Sequence, residues 1–128
     1  MSQYHVLACV TVQKSCEKMI LEGAKITRDM DGELSVLHVA AKAGDMLGYS
    51  LEGDAMEYLY KICSENGAAM TVVRSDDVIE SIVSFVKKHG VTIALMGASR
   101  AKGGRDFSYE LSARLPDVIF QTVDTYED

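Results

Sequence analysis

The sequence predicts an α/β protein with an open, mostly parallel β-sheet and helices on both faces. Short apolar runs alternate with stretches of helical spacing through five repeats. The first run, VLACVTV from Val6 to Val12, is apolar almost throughout, as in a strand that is covered on both faces. Pro116 is the only proline, and no Ser-rich or Gly-rich linker divides the chain. We therefore expect one domain over residues 1–128.

The first crossover helix is predicted to begin at Ser15, a candidate N-cap, and to be closed by Gly32. Its apolar stripe consists of Cys16, Met19, Ile20, Gly23, Ile26 and Met30. The second strand, LSVLHVA, runs from Leu34 to Ala40. Residues 41–50 contain two glycines and are too polar for a regular element, which predicts a loop.

The second half repeats this alternation. A helix is predicted over residues 51–66, with Ala55, Leu59, Ile62 and Cys63 on one face and Gly67 as its stop. The third strand is residues 69–74. Asp77 and Glu80 have the spacing of a capping box for a helix that ends at residues 89–90. Residues 91–96, 107–115 and 118–123 are then predicted as a strand, a short helix and a last strand.

Composition excludes several classes of function. The net charge is −6 and the pI about 5.0, the wrong sign for a general nucleic-acid binder. No apolar run approaches the ~20 residues of a membrane span, and no basic flank of a signal peptide precedes Val6. Cys9, Cys16 and Cys63 show no paired spacing, which indicates reduced thiols in a cytoplasm.

The candidate binding site lies in the loop after the fourth strand, because ligands of open α/β sheets bind beyond the carboxyl ends of the strands. This basic, glycine-rich loop runs from Gly97 to Arg105 in an otherwise acidic chain, and Ser108 follows at the start of a helix. Backbone amides at glycines, hydroxyl groups and cations all suit a phosphate. The contributing residues are Gly97, Ser99, Arg100, Lys102, Gly103, Gly104, Arg105 and Ser108. A solvated basic turn is the alternative interpretation.

The loop matches neither a Walker A motif nor a dinucleotide fingerprint. No nucleophile–base pair, carboxylate pair or metal-ligand spacing is visible, so we predict neither catalysis nor a metal site. His38 is interpreted as a half-buried strand residue, His5 as a residue near the terminus and His89 as a helix-end residue. Asp76 and Asp77 are interpreted as capping residues.

Three blocks of the sequence resemble the universal stress protein superfamily, and within it the stress-protein-like domain of Kdp-type potassium-sensing histidine kinases. They are VLACVTVQKSCEKMILEGAKITRDMDGELSVLHV, SDDVIESIVSFVKKHGVTIALMGASR and LPDVIFQTV. The turn Gln13-Lys14-Ser15 carries the likeness to the Kdp-type domain. The resemblance implies a five-stranded Rossmann-like sheet of the adenine nucleotide alpha hydrolase type, with strand order 3-2-1-4-5. It also implies a non-catalytic regulatory role and homodimerisation through the last strand, from Val118 to Val123.

Some members of this superfamily bind ATP through Gly-x-x-Gly, nine further residues and Gly-Ser/Thr. Gly97 matches the first glycine, but Arg100 stands at the second, and Glu110-Leu111 stands where Gly-Ser is expected. If a gap is allowed in the alignment with this motif, Phe107-Ser108 takes the position of the final Gly-Ser/Thr. Thr11-Val12-Gln13 replaces the acidic residue that follows the first strand in ATP binders. Arg100 either blocks close backbone approach or offers a guanidinium group to phosphate.

Two functional hypotheses follow. The first is a cytoplasmic stress-response or signalling domain that binds ATP or another adenine nucleotide, with the base near Val10, Thr11 and Val39 and the phosphates at the loop. The second is a nucleotide-free module that dimerises or docks on a sensor kinase or transporter. A slow nucleotide hydrolase is a third alternative, and it would require a base or metal ligand among Asp45, Asp76 and Asp106.

Overall fold

The structure is a computed structural model that describes residues 4–10, 16–40, 49–97 and 107–123. Strands and helices alternate along these residues. The strands are β1 (His5–Cys9), β2 (Glu33–Ala40), β3 (Ala69–Arg74), β4 (Ile93–Gly97) and β5 (Ile119–Val123). The helices are α1 (Cys16–Met30), α2 (Tyr49–Glu65), α3 (Val78–His89) and α4 (Phe107–Arg114). The strands form one parallel sheet of order β3-β2-β1-β4-β5. The predicted fold class and the strand order implied by the resemblance are confirmed.

Each face of the sheet carries its own apolar core. Val6 and Ala8 of β1 pack in the core under α1 and α2, whereas Leu7 packs in the core under α3 and α4. All three side chains are fully buried. The central strand therefore has no polar face, which is the physical reason for its continuous apolar run.

The helices bury the apolar stripes that the sequence predicts. Ile26 and Met30 pack partly buried against the core under α1 and α2. The predicted positions that are buried are Met19, Ile20, Gly23, Leu59, Ile62, Cys63, Ile79, Ile82, Val83 and Val86. Residues 49 and 50, predicted as the end of the loop, belong to α2. The predicted N-cap Ser15 and residues 41–48 of the predicted loop lie outside the described residues, as do the side chains of Cys16 and Ala55.

Helix α3 has the caps that its sequence predicts. The Asp77 carboxylate accepts a hydrogen bond from the Glu80 N–H at 3.0 Å. At the other end, Gly90 adopts φ +66°, and the N–H of Val91 donates to the Val86 carbonyl. This is a Schellman ending, which requires a left-handed residue and so favours glycine.

The end of α1 differs from the prediction. The left-handed residue is Asp31, with φ +53°, rather than Gly32. Gly32 donates its N–H to the Thr27 carbonyl, again as in a Schellman ending. A Cβ at Gly32 would lie 2.9 Å from the Tyr4 carbonyl oxygen. Glycine is therefore needed there for close backbone contact and not for its φ angle.

Several strand boundaries also differ from the prediction. β4 begins at Ile93 rather than Val91, because Val91 is part of the ending of α3. β5 begins at Ile119 rather than Val118, whose N–H closes a turn onto the Leu115 carbonyl. β1 ends at Cys9, although the next residue, Val10, still donates its N–H to the Leu37 carbonyl. The rest of the predicted first strand, residues 11 and 12, lies outside the described residues.

No helix among the described residues is long and apolar enough to cross a membrane.

Candidate functional site

The carboxyl ends of β1, β2 and β4 converge at the edge of the sheet where the sequence places a ligand. β1 lies between β2 and β4, with Ala8 opposite Val36 and Leu95. Continuation of the β1–β4 register places Gly97 opposite Val10. Val10, which the sequence analysis assigns to the base, and Gly97, which it assigns to the phosphates, thus belong to the same part of the sheet edge.

Both backbone polar groups of Val10 form hydrogen bonds with residues of β2. Its N–H donates to the Leu37 carbonyl at 3.0 Å, and its carbonyl lies 3.1 Å from His38 Nδ1. A carbonyl only accepts hydrogen bonds, so Nδ1 carries the proton. His38 lies in a strand as predicted, but it is buried, at 8% exposure, rather than half-buried. Its role is to position the backbone at the start of the loop after β1.

Val39 lies on the opposite face of the sheet from Val10. Val10 belongs to the core under α1 and α2, whereas Val39 is half-buried against the core under α3 and α4. The two valines therefore lie at the carboxyl edge on opposite faces of the sheet. An adenine ring that contacted both would have to lie across the ends of the strands.

The phosphate-binding part of the predicted site is described only at its two ends. Gly97 is exposed as the last residue of β4, and Ser108 lies in the first turn of α4. Because a helix that follows a parallel strand begins at the carboxyl edge, the amino end of α4 lies at the same edge as Gly97. The other candidates, namely Thr11, Ser99, Arg100, Lys102, Gly103, Gly104 and Arg105, lie outside the described residues.

Cys9 lies at this edge, at the end of β1. Its side chain is partly buried against the core under α3 and α4, and the loss of solvent around the thiol raises its pKa from 9.0 to about 12. A thiol with this pKa is protonated at neutral pH and is a poor nucleophile. Its environment is that of a small apolar side chain, as predicted.

The described residues contain no group of three or more His, Cys, Asp or Glu side chains arranged to hold a metal ion. They do contain a serine–histidine pair that the sequence analysis missed. Ser35 Oγ lies 2.6 Å from His5 Nε2, at the amino edge of the sheet. The two residues are 30 positions apart, and only the pairing of β1 with β2 brings them together. The polar residues His5 and Ser35 at the ends of otherwise apolar strands were the available signal.

Known structures share this fold. A universal stress protein in complex with cAMP has a TM-score of 0.71 at 11% identity and covers 98% of this chain and 100% of its own. The chain has the fold of the universal stress proteins. The Archaeoglobus fulgidus universal stress protein in complex with dAMP matches with a TM-score of 0.68 at 13% identity, over 97% of this chain and 100% of its own.

A third structure, an Arabidopsis thaliana universal stress protein family protein with AMP bound, has a TM-score of 0.60 at 18% identity. It covers 94% of this chain and 91% of its own. No protein-family profile and no curated protein matches the sequence. At these identities the similarity establishes the fold, and function must be argued from the site.

Proposed function

We propose that the chain is a non-catalytic regulatory domain of the universal stress protein type that binds an adenine nucleotide at the carboxyl edge of the sheet. The observation that carries the proposal is the convergence at this edge. β1 and β4 end side by side at this edge, where α4 begins, in a fold that three solved structures show in complexes with cAMP, dAMP and AMP. The base would lie near Val10, Thr11 and Val39.

The phosphates would meet the loop from Gly97 to Ser108. Glycine at positions 97, 103 and 104 lets backbone amides approach an anion, and Ser99, Arg100 and Lys102 add hydrogen-bond donors. The amino end of α4 adds partial positive charge. In a chain of net charge −6, this cluster favours an anionic ligand. ATP is one candidate among the adenine nucleotides.

Isothermal titration of the ligand-stripped protein with ATP, AMP and a cyclic di-adenosine nucleotide tests the proposal. We expect saturable binding of at least one of them. Arg100→Ala and Gly103→Val should weaken it at least about tenfold, since each removes or blocks donors to a charged group. Arg28→Ala is the matched control, because it removes an exposed cation from the last turn of α1, at the opposite edge. Absence of binding to the folded protein at millimolar ligand would refute the proposal.

The second candidate function is an interaction module that acts by dimerisation or by docking on a sensor kinase or transporter. The observation that favours it is the open edge of β5. Ile119 on this edge strand is 64% exposed, and Tyr109 on the neighbouring α4 is 83% exposed. Apolar edge strands of this kind pair readily with another chain. A second copy paired through residues 118–123 would cover it.

Sedimentation analysis tests this dimer. We expect a dimeric mass at micromolar concentration and a monomeric mass for Ile119→Lys. Tyr60→Lys is the control, because Tyr60 is a comparably exposed apolar residue, 66% exposed, but lies on α2, away from β5. A monomeric unmodified protein, or equal dissociation by both variants, would exclude pairing through β5. Nucleotide binding and dimerisation are measured separately, so either can hold without the other.

A further inference from the structure

The edge strand β3 directs backbone groups away from the sheet. Among the described residues it pairs with β2 alone. The Glu33 N–H and the Leu37 carbonyl bond to residues of β1, so the odd-numbered residues of β2 face β1 and the even-numbered ones face β3. Met70 and Val72 are the register partners of even-numbered residues of β2. In a parallel pair the N–H and C=O groups of such partners point outward, away from β2.

This edge has few of the features that prevent a further strand from pairing. Its sequence, AMTVVR, contains no proline, and Arg74 at its end is its one charged residue. The register with β2 runs from Ala69 to Arg74 without a bulge. Val72, in the middle of the strand, is 38% exposed. Regular, apolar edges of this kind accept another strand.

A groove of about 510 Å³ lies between this edge and α3. Thr71 and Val73, both half-buried, line it from β3, and the buried Phe85 lines it from α3. Side chains of a strand alternate between its two faces, so every second side chain of a strand added beside β3 would lie on the groove side. Small apolar side chains at those positions would pack on Thr71 and Val73.

The groove is charged at both ends. Because α3 runs back along β3, Arg74, Asp77 and Glu80 line the groove near the carboxyl end of β3, and Lys88 lines it near the amino end. The Asp77 carboxylate caps α3, the Glu80 carboxylate lies 2.9 Å from the Arg114 guanidinium group, and Arg74 also has an interaction partner. Lys88 forms no ion pair within the described residues. Its ammonium group therefore favours a carboxylate on the bound segment.

We propose that the edge of β3 binds an extended segment of another protein, which adds to the five-stranded sheet as a further strand. The backbone of the segment pairs with Met70 and Val72. Alternate apolar side chains pack on Thr71 and Val73, and an acidic side chain on the same face pairs with Lys88. This surface lies at the opposite end of the strand order from β5, so its binding is independent of the dimer considered above.

A library of displayed random heptapeptides, selected on the immobilised full chain, provides the probe. We expect the enriched peptides to carry apolar residues at alternate positions and an Asp or Glu on the same face. Synthetic copies of them, titrated into labelled protein, should shift the amide NMR signals of Met70 and Val72 more than those of β5. Failure to enrich any such peptide, or shifts that leave β3 unaffected, would overturn the proposal.

Val72→Pro tests the backbone pairing. Proline removes an N–H that points away from β2, a position at which edge strands tolerate it, so the fold should persist and a urea midpoint checks this. We expect the enriched peptides to bind at least about tenfold more weakly, because the added strand loses a hydrogen bond and its close approach. Val72→Thr is the matched control, because it keeps both the N–H and the branched side chain. Equal affinity of the proline variant and the unmodified protein would exclude strand addition.

Lys88→Glu tests the charge pairing without altering β3. Lys87 and Lys88 are both exposed in the last turn of α3, but only Lys88 lines the groove, so Lys87→Glu is the matched control. We expect Lys88→Glu to weaken the acidic peptides about fivefold and Lys87→Glu to weaken them less than about twofold. A peptide with Lys in place of its acidic residue should bind Lys88→Glu better than the unmodified protein. Equal effects of the two substitutions would show general charge attraction and overturn the pairing with Lys88.

Discussion

Raising the pH from 8 to 10 is expected to destabilise the protein through Cys9. The thiol has a pKa of about 12 in the folded protein because its packing against the core excludes solvent from it, against 9.0 when it is exposed in the unfolded chain. Below pH 9 both states hold the proton, and the thiol has no effect on stability. Above pH 9 the unfolded chain loses the proton while the folded protein keeps it, so the free energy of unfolding falls as pH rises.

The size of this loss follows from the two pKa values. Between pH 8 and pH 10 the ionisation of the unfolded thiol lowers the free energy of unfolding by about 1.4 kcal/mol. Since a domain of this size has a total stability of roughly 5–15 kcal/mol, the effect at pH 10 is measurable.

Urea unfolding at pH 8 and pH 10, with the unmodified protein and Cys9→Ala, isolates this contribution. Lysine and tyrosine side chains also titrate in this range, but their effects are common to both proteins and cancel in the difference. Cys9→Ala should be less stable at pH 8, because it leaves a small cavity, and should lose about 1.4 kcal/mol less than the unmodified protein on going to pH 10. Equal losses in both proteins would show that Cys9 ionises normally in the folded state.

Three further predictions concern stability and can be checked by urea unfolding. Asp77→Ala should cost about 1 kcal/mol by removing the cap of α3, whereas Asp77→Asn should cost little because asparagine caps equally well; equal losses would contradict the capping role. Leu59→Ala should cost about 2–5 kcal/mol, since Leu59 is fully buried, and Leu21→Ala, at a position 48% exposed, should change stability by no more than about 0.5 kcal/mol. Gly90→Ala should cost about 1–2 kcal/mol purely through its φ of +66°, because a Cβ there meets no atom within 4 Å; an unchanged urea midpoint would refute this reasoning.

Much of the fold could be predicted because its signals are local. The double-sided burial of β1 appears as an unbroken apolar run, and α3 is bounded by an aspartate and a glycine that cap it as expected. The errors occurred where a tertiary contact competes with a local signal. Gly32 looks like a helix stop, yet its lack of a side chain serves the approach of Tyr4, and Asp31 takes the left-handed turn.

The candidate sites show the same division. Position in an α/β fold was enough to direct attention to the carboxyl edge, where β1 and β4 end side by side, and ligand binding there stays a prediction. His38 was correctly interpreted as a strand histidine, but its bond to the Val10 carbonyl could not be read from sequence. His5 was set aside as a residue near the terminus. Only the structure shows that its ring lies between Ser35 and the end of α3.

The sequence by itself determined the alternation of strands and helices, the buried faces and most helix ends, because each depends on residues within a few positions of one another. The tertiary structure alone decided which distant residues meet. Parallel pairing shifts β1 against β2 by 28 positions and against β4 by 87, as the partners Leu7–Ser35 and Leu7–Ala94 show. These offsets depend on how the crossover helices pack on both faces of the sheet, a sum of many weak contacts that no local pattern records.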